Sequence, residues 1–112
     1  MPDPREQAEA VARWMGWTVI KKGAFYILWQ PPYNDHPTID LPDYADDLNA
    51  MREVEHEIER RGLLVEYVAM LRKVWQGHED ALDEWQYFLI RATAAQRLEA
   101  AARVIEEVGN AG

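Results

Sequence analysis

The sequence predicts an α+β fold: a mostly helical single domain with an N-terminal β-hairpin packed between helices. Three observations predict it. Apolar residues recur at spacings of three and four over much of the chain, as in Leu64, Tyr67, Val68, Leu71, Val74 and Trp75, which is how a helix with one buried face reads. Two runs near the N-terminus, Trp17 to Lys21 and Phe25 to Trp29, are instead dense in β-branched and aromatic residues, which suit a pleated strand. A chain of 112 residues, 48% hydrophobic and 29% charged, has the size and balance of one globular core.

Each element carries its own punctuation. In Asp3-Pro4-Arg5-Glu6 the aspartate can cap free amides, proline suits the first helical position and glutamate completes a capping box. The first helix is therefore expected over residues 3–15, with Ala8, Val11, Ala12 and Met15 inward and Gly16 as its left-handed stop. The hairpin follows over residues 17–29, joined across Lys22-Gly23-Ala24. Alternation places Phe25, Ile27 and Trp29 on one face and Tyr26 and Leu28 on the other. Gln30-Pro31-Pro32 ends the pairing, since proline cannot donate to a ladder.

Residues 30–42 read as a loop, the longest irregular segment and so a place where function can reside. Asp43 is expected to cap a helix over residues 43–61, with Asp46 and Asp47 at its positive end, Arg60 and Arg61 at its negative end, and Gly62 closing it. Its inward stripe is Leu48, Met51, Val54 and Ile58. A third helix spans residues 63–75, with Gly77 as its stop. Ala81, Leu82, Trp85, Phe88 and Leu89 keep the helical period, yet Trp85 to Ile90 is aromatic enough for a short strand, so residues 81–91 are helix or strand. Thr93 caps a last helix over residues 93–108, whose stripe of Ala94, Leu98, Ala101, Ala102 and Ile105 permits close packing before Gly109.

Composition excludes several functions. Without cysteine there is no disulfide framework and no thiolate zinc site. The first residues lack a basic region followed by an apolar core, and no apolar run is long enough for a bilayer. The expectation is a cytoplasmic protein with no membrane partner. Twenty acidic against twelve basic side chains give a net charge of −8, a field that repels phosphates and argues against nucleic-acid binding. Acids concentrate between Asp35 and Glu59 and again at Glu79, Asp80, Asp83 and Glu84. A solvated surface explains them; a face for a basic partner, or an imitation of nucleic acid, is the alternative.

The chain offers little for catalysis. Glu53 and His56 have the Glu-x-x-His spacing of di-iron bundles, but no second copy exists and His56 lies opposite Met51, Val54 and Ile58. No metal site and no cofactor are expected. His36 beside Asp35, and His78 beside Glu79 and Asp80, could each serve as a general base. There is neither serine nor cysteine to activate, Thr18, Thr38 and Thr93 lack an activating motif, and no glycine-rich phosphate loop occurs. Five tryptophans and five tyrosines are many for a small core. Those near segment ends, Trp29, Tyr33, Trp75 and Trp85, either fill the core or anchor a ligand or an interface.

Asp47-Leu48-Asn49-Ala50-Met51-Arg52-Glu53-Val54-Glu55 and, later, Ala92-Thr93-Ala94-Ala95-Gln96-Arg97-Leu98-Glu99-Ala100, with Met15-Gly16-Trp17 before the hairpin and a proline-rich link after it, resemble a group of small phage-encoded proteins. These are similar to the phage ABA sandwich domain family and its relatives. The resemblance implies helices packed about a sheet and an origin in a phage or prophage; it implies no activity and no catalytic residue. The stretch from Gly62 to Glu84 departs most from the pattern.

The leading expectation is a non-enzymatic phage or prophage accessory protein in the host-cell cytoplasm, acting by binding as a homo-oligomer or as the partner of a host protein. One alternative is a sponge that sequesters a nucleotide signal of host antiphage defence. Lys21, Lys22, Arg91 and Arg97 would contact the phosphates, Trp29 or Tyr33 would stack on the base, and His36 would stand beside it. A small hydrolase using His36 or His56 is the other. Homo-oligomerisation is expected to bury a patch of Trp29, Trp75 or Trp85 beside Val74 or Leu28.

Overall fold

The first helix, α1, runs Pro4–Trp14, and its start is the expected one: the Asp3 carboxylate accepts from the Glu6 amide at 2.9 Å. Gly16 then takes φ +104, the left-handed conformation that ends the helix, with the Pro32 ring packed close above it. The computed structural model describes residues 3–78 and 91–111.

Strands β1 (Thr18–Lys22) and β2 (Ile27–Gln30) pair antiparallel. Val19 faces Trp29, Lys21 faces Leu28 and Lys22 faces Ile27, with a bulge at Ile20. The ladder closes sooner than the sequence implies. Residues 23–26 form the turn, where the Gly23 amide donates to the Tyr26 carbonyl at 2.8 Å. Phe25 and Tyr26 therefore leave the strand pattern, and Phe25 is 97% exposed instead of sharing a strand face with Ile27 and Trp29. The loop after β2 is not wholly irregular: Thr38 and Trp29 exchange both backbone hydrogen bonds, at 2.8 and 2.9 Å, and so cover the outer edge of β2.

Helix α2 spans Leu48–Arg60, shorter than expected at its start. Residues 43–47 form a turn in which the Asp43 carbonyl accepts from the amides of Asp46 and Asp47. That turn buries Tyr44, and Asp47 becomes the cap, accepting from the Asn49 amide at 2.9 Å. Leu48 consequently sits in the first turn, exposed, while Met51, Val54 and Ile58 are fully buried. Gly62, at φ +75, closes α2 as expected.

Helix α3 spans Leu64–His78 and passes through Gly77, which was expected to stop it. A helical glycine costs only about 1 kcal/mol, and Leu71 and Val74 secure this helix in the core. Leu64, placed in the inward stripe by its spacing, is exposed. The last helix, α4, spans Ala94–Ala111, and Gly109 lies inside it. Its capping box is complete: the Gln96 amide donates to Thr93 Oγ1 at 3.1 Å and the Gln96 side chain accepts from the Thr93 amide at 2.8 Å. Of residues 81–91, only Arg91 lies among the described residues.

Helix α4 is the axis of the domain and packs against α1, α2 and α3. Leu98, Ala100, Ala101 and Val104 form its buried face, with Ala102 and Ile105 only at the margin. The buried alanines Ala94, Ala100 and Ala101 let the neighbouring helices come close. The arrangement is the predicted α+β class, four helices and one two-stranded sheet among the described residues.

Candidate functional site

The hairpin rests on the helices from one side. Trp29 is 2% exposed, held by the Thr38 bridge above and by the Arg13 guanidinium, 5.7 Å from its ring centre. Trp17 is buried nearby and meets the edge of Tyr33, with ring centres 5.8 Å apart at 83°. All five residues of β1, by contrast, are exposed. Its outer edge has no strand beside it among the described residues.

Between hairpin and α1 lies a cleft of about 320 Å³. Arg5, Ala8 and Glu9 of α1 form one wall, Ile27 and Trp29 of β2 form the floor, Phe25 and Tyr26 of the turn stand at the rim, and Ile39 and Leu41 of the loop close the other side. The Arg5 and Glu9 side chains approach to 3.7 Å. Cross-strand partners share a face, so the register carries Val19 and Lys22 to the side of the sheet that holds Trp29 and Ile27. The cleft is thus apolar and aromatic inside, with charges of both signs at its rim.

A second constellation joins three helices. The Tyr67 hydroxyl donates to Glu55 Oε2 at 2.6 Å and Arg97 Nη1 donates to the same oxygen at 2.9 Å, while Arg97 Nε donates to the Ala92 carbonyl. Burial, with the Glu55 charge added, pushes the Tyr67 phenol far above its ordinary value, so it stays a donor. Tyr44 is likewise pushed up to about 12, mainly by burial and further by Glu53. The Arg60 guanidinium beside Glu57 holds that carboxyl below its ordinary value. None of these groups lines the cleft, and the Glu55, Tyr67 and Arg97 cluster braces α2, α3 and α4.

The residues singled out from the sequence fall into three places. Lys21 and Lys22 are exposed on β1, opposite Leu28 and Ile27, while Trp29 pairs with Val19. Tyr33 and His36 are exposed in the following loop, where the His36 amide donates to the Asn34 side chain. Arg91 lies three residues before α4 and Arg97 in its first turn, where Arg97 is committed to Glu55. Trp29 is a buried anchor rather than an open stacking platform, 2% exposed with the Arg13 guanidinium over its ring. Trp75 and Val74 are buried as well, so neither belongs to a surface patch, and Trp85 lies outside the described residues. His56 is exposed on α2, as its position opposite the apolar stripe implied.

Sequence reasoning missed Phe25, Tyr26 and Ile39, which rim the cleft. The available signal was Gly23 followed by a single alanine, which permits a turn that runs past residue 24. No protein-family model, curated protein or solved structure matches this chain. No helix among the described residues is long and apolar enough to cross a membrane.

Proposed function

We propose that this chain is a non-enzymatic binding protein whose working surface is the outer face of the hairpin and its cleft. It would serve as a phage or prophage accessory protein that associates with copies of itself or with a host protein. One observation carries the reading: Phe25 at 97% exposure, Ile39 at 58% and Tyr26 at 43% surround one open cleft. Scattered exposed apolar side chains are ordinary, whereas a cluster around a concavity is the usual form of an interaction site. The phage setting rests on the sequence resemblance alone. A nucleotide sponge has less support, since Arg97 is held by Glu55 and Trp29 is enclosed.

The test is a photoreactive benzophenone amino acid placed at position 25 and, as a control, at position 65 on α3, where Val65 is 79% exposed and outside the cleft. Irradiation in producing cells is expected to give discrete protein adducts from position 25 and none from position 65. Equal adducts from both positions, or none from position 25, would overturn the proposal.

A further inference from the structure

We infer that the cleft receives Phe25 of a second copy, so that two chains pair about a two-fold axis with each Phe25 seated in the other's cleft. This rests on the binding role proposed above and names its partner. Phe25 is a fully presented knob at the tip of the hairpin, and it stands on the rim of the cleft. A cavity of about 150 Å³ holds a benzene ring, so a cleft of about 320 Å³ accommodates a phenyl group and its approach. Its lining by Ala8, Ile27, Trp29 and Leu41 is chemically matched to that ring. Knob and hole lie side by side on one surface, the condition under which a two-fold axis satisfies both at once.

Charge selects the same face. Through Leu41, the last residue that lines the cleft, the side chains are Arg5, Arg13, Lys21 and Lys22 against Asp3, Glu6, Glu9, Asp35 and Asp40, which is 4 − 5 = −1. With −8 overall, the remainder carries −8 + 1 = −7. Two copies repel each other over most of their surface and least where the hairpins and α1 meet. On the cleft wall, Arg5 and Glu9 offer one charge of each sign, which a two-fold axis can pair across the interface.

Face-to-face contact is also favoured over strand addition. The outer edge of β2 is taken by Thr38, and β1 carries a bulge at Ile20 with Lys21 and Lys22 following. A bulge and edge lysines are the devices that discourage edge-to-edge pairing.

Light scattering after size exclusion, at tens of micromolar, is expected to give two copies of the 13.0 kDa chain. Phe25→Asp should weaken association by at least about thirtyfold, the effect of losing a central anchor, and Ile39→Asp should weaken it from the side of the hole. Both positions are exposed, so both variants should melt like the wild type when dilute; Val65→Asp should leave association unchanged. A mixture of the Phe25→Asp and Ile39→Asp chains retains one intact knob and hole per pair and should associate more tightly than either variant alone. A monomeric wild type, a dimer indifferent to Phe25→Asp, or a mixture no tighter than its components overturns the inference. If the wild type is monomeric while position 25 still forms adducts with another protein, the dimer is rejected and the binding role stands. If position 25 forms no adducts either, both are rejected.

Discussion

The helical body and the hairpin differ most in what they do with apolar side chains. On α4, Leu98, Ala100 and Ala101 are wholly buried and Val104 nearly so, whereas every residue of β1 is exposed, Val19 and Ile20 included. The aromatics divide in the same way: Tyr44, Tyr67 and Trp75 complete the body, while Phe25, Tyr26 and Tyr33 stand on the surface of the hairpin and its loop. A two-stranded hairpin is marginal by itself, and this one is tied down chiefly through Trp17 and Trp29, with Ile27 packed against the core. Stability is therefore concentrated in the helices, which leaves the outer hairpin face free to serve contact with another molecule.

That division can be broken from the side of the body. Leu98→Asp places an uncompensated charge at a fully buried position, at a cost of several kcal/mol against a total stability of about 5–15 kcal/mol. Loss of the cooperative thermal transition by circular dichroism is expected; an unshifted melt would show that α4 is not the axis of the core. Trp29→Ala separates the two regions more finely. Removing a buried tryptophan costs about 3–5 kcal/mol, and because Trp29 anchors the hairpin, hydrogen exchange should quicken at the amides of residues 18–30 and 38 more than in α4. Uniform acceleration would mean that hairpin and body form one cooperative unit.

A smaller effect is expected at the brace between α2, α3 and α4. Arg97→Met leaves the Glu55 carboxylate with the Tyr67 hydroxyl alone in a largely buried place, and a charged group short of a partner costs about 1–3 kcal/mol. The pH dependence follows from the tyrosines. Tyr44 and Tyr67 both hold their protons more tightly in the folded state than in the unfolded one. Their contribution is complete below the ordinary tyrosine pKa of about 10 and is lost as pH rises through the folded values. For Tyr44 that window runs from 10.0 to about 12. Denaturant midpoints should fall over that window, and in Tyr67→Phe they should fall less steeply. A flat alkaline profile would mean that neither phenol is enclosed.

Much of the body was legible because its signals are local. Asp3 and Thr93 cap through atoms three residues away, Gly16 and Gly62 stop helices through their own φ angles, and Met51, Val54 and Ile58 bury by period alone. The start of α2 misled because five consecutive candidates from Asp43 to Asp47 include three aspartates, and burial of Tyr44, a tertiary effect, decides among them. The candidate site was scarcely legible. From the sequence Trp29 is open between filling the core and anchoring a ligand or interface, and its burial is decided by packing against elements remote in the chain. Phe25 reads as a strand residue on the face of Ile27 and Trp29 until the turn runs through Tyr26, two residues past Ala24. The cleft needs α1, the turn and the loop together, and no periodicity within any one of them encodes that meeting.

The finest test of the division is salt, because body and hairpin should answer it differently. In the body, the ion pairs Arg60–Glu57 and Arg103–Glu99 have at least one exposed member, and such pairs contribute little to stability. Its melting temperature should hardly move. At the hairpin face two opposing terms act: Arg5 and Glu9 can pair across the contact, and screening weakens them, whereas the −8 charge of each copy opposes approach, and screening relieves that. Arg5 is 79% exposed, so its pairing is worth little. The repulsion sums over the whole of two acidic chains, and it fades as the screening length shortens from about 10 Å at 0.1 M salt to about 3 Å at 1 M. Relief of repulsion should prevail, and self-association measured by light scattering should tighten slightly as salt rises while the melting temperature stays fixed. Association that weakens with salt would place ion pairs, not the apolar cleft, at the centre of the contact.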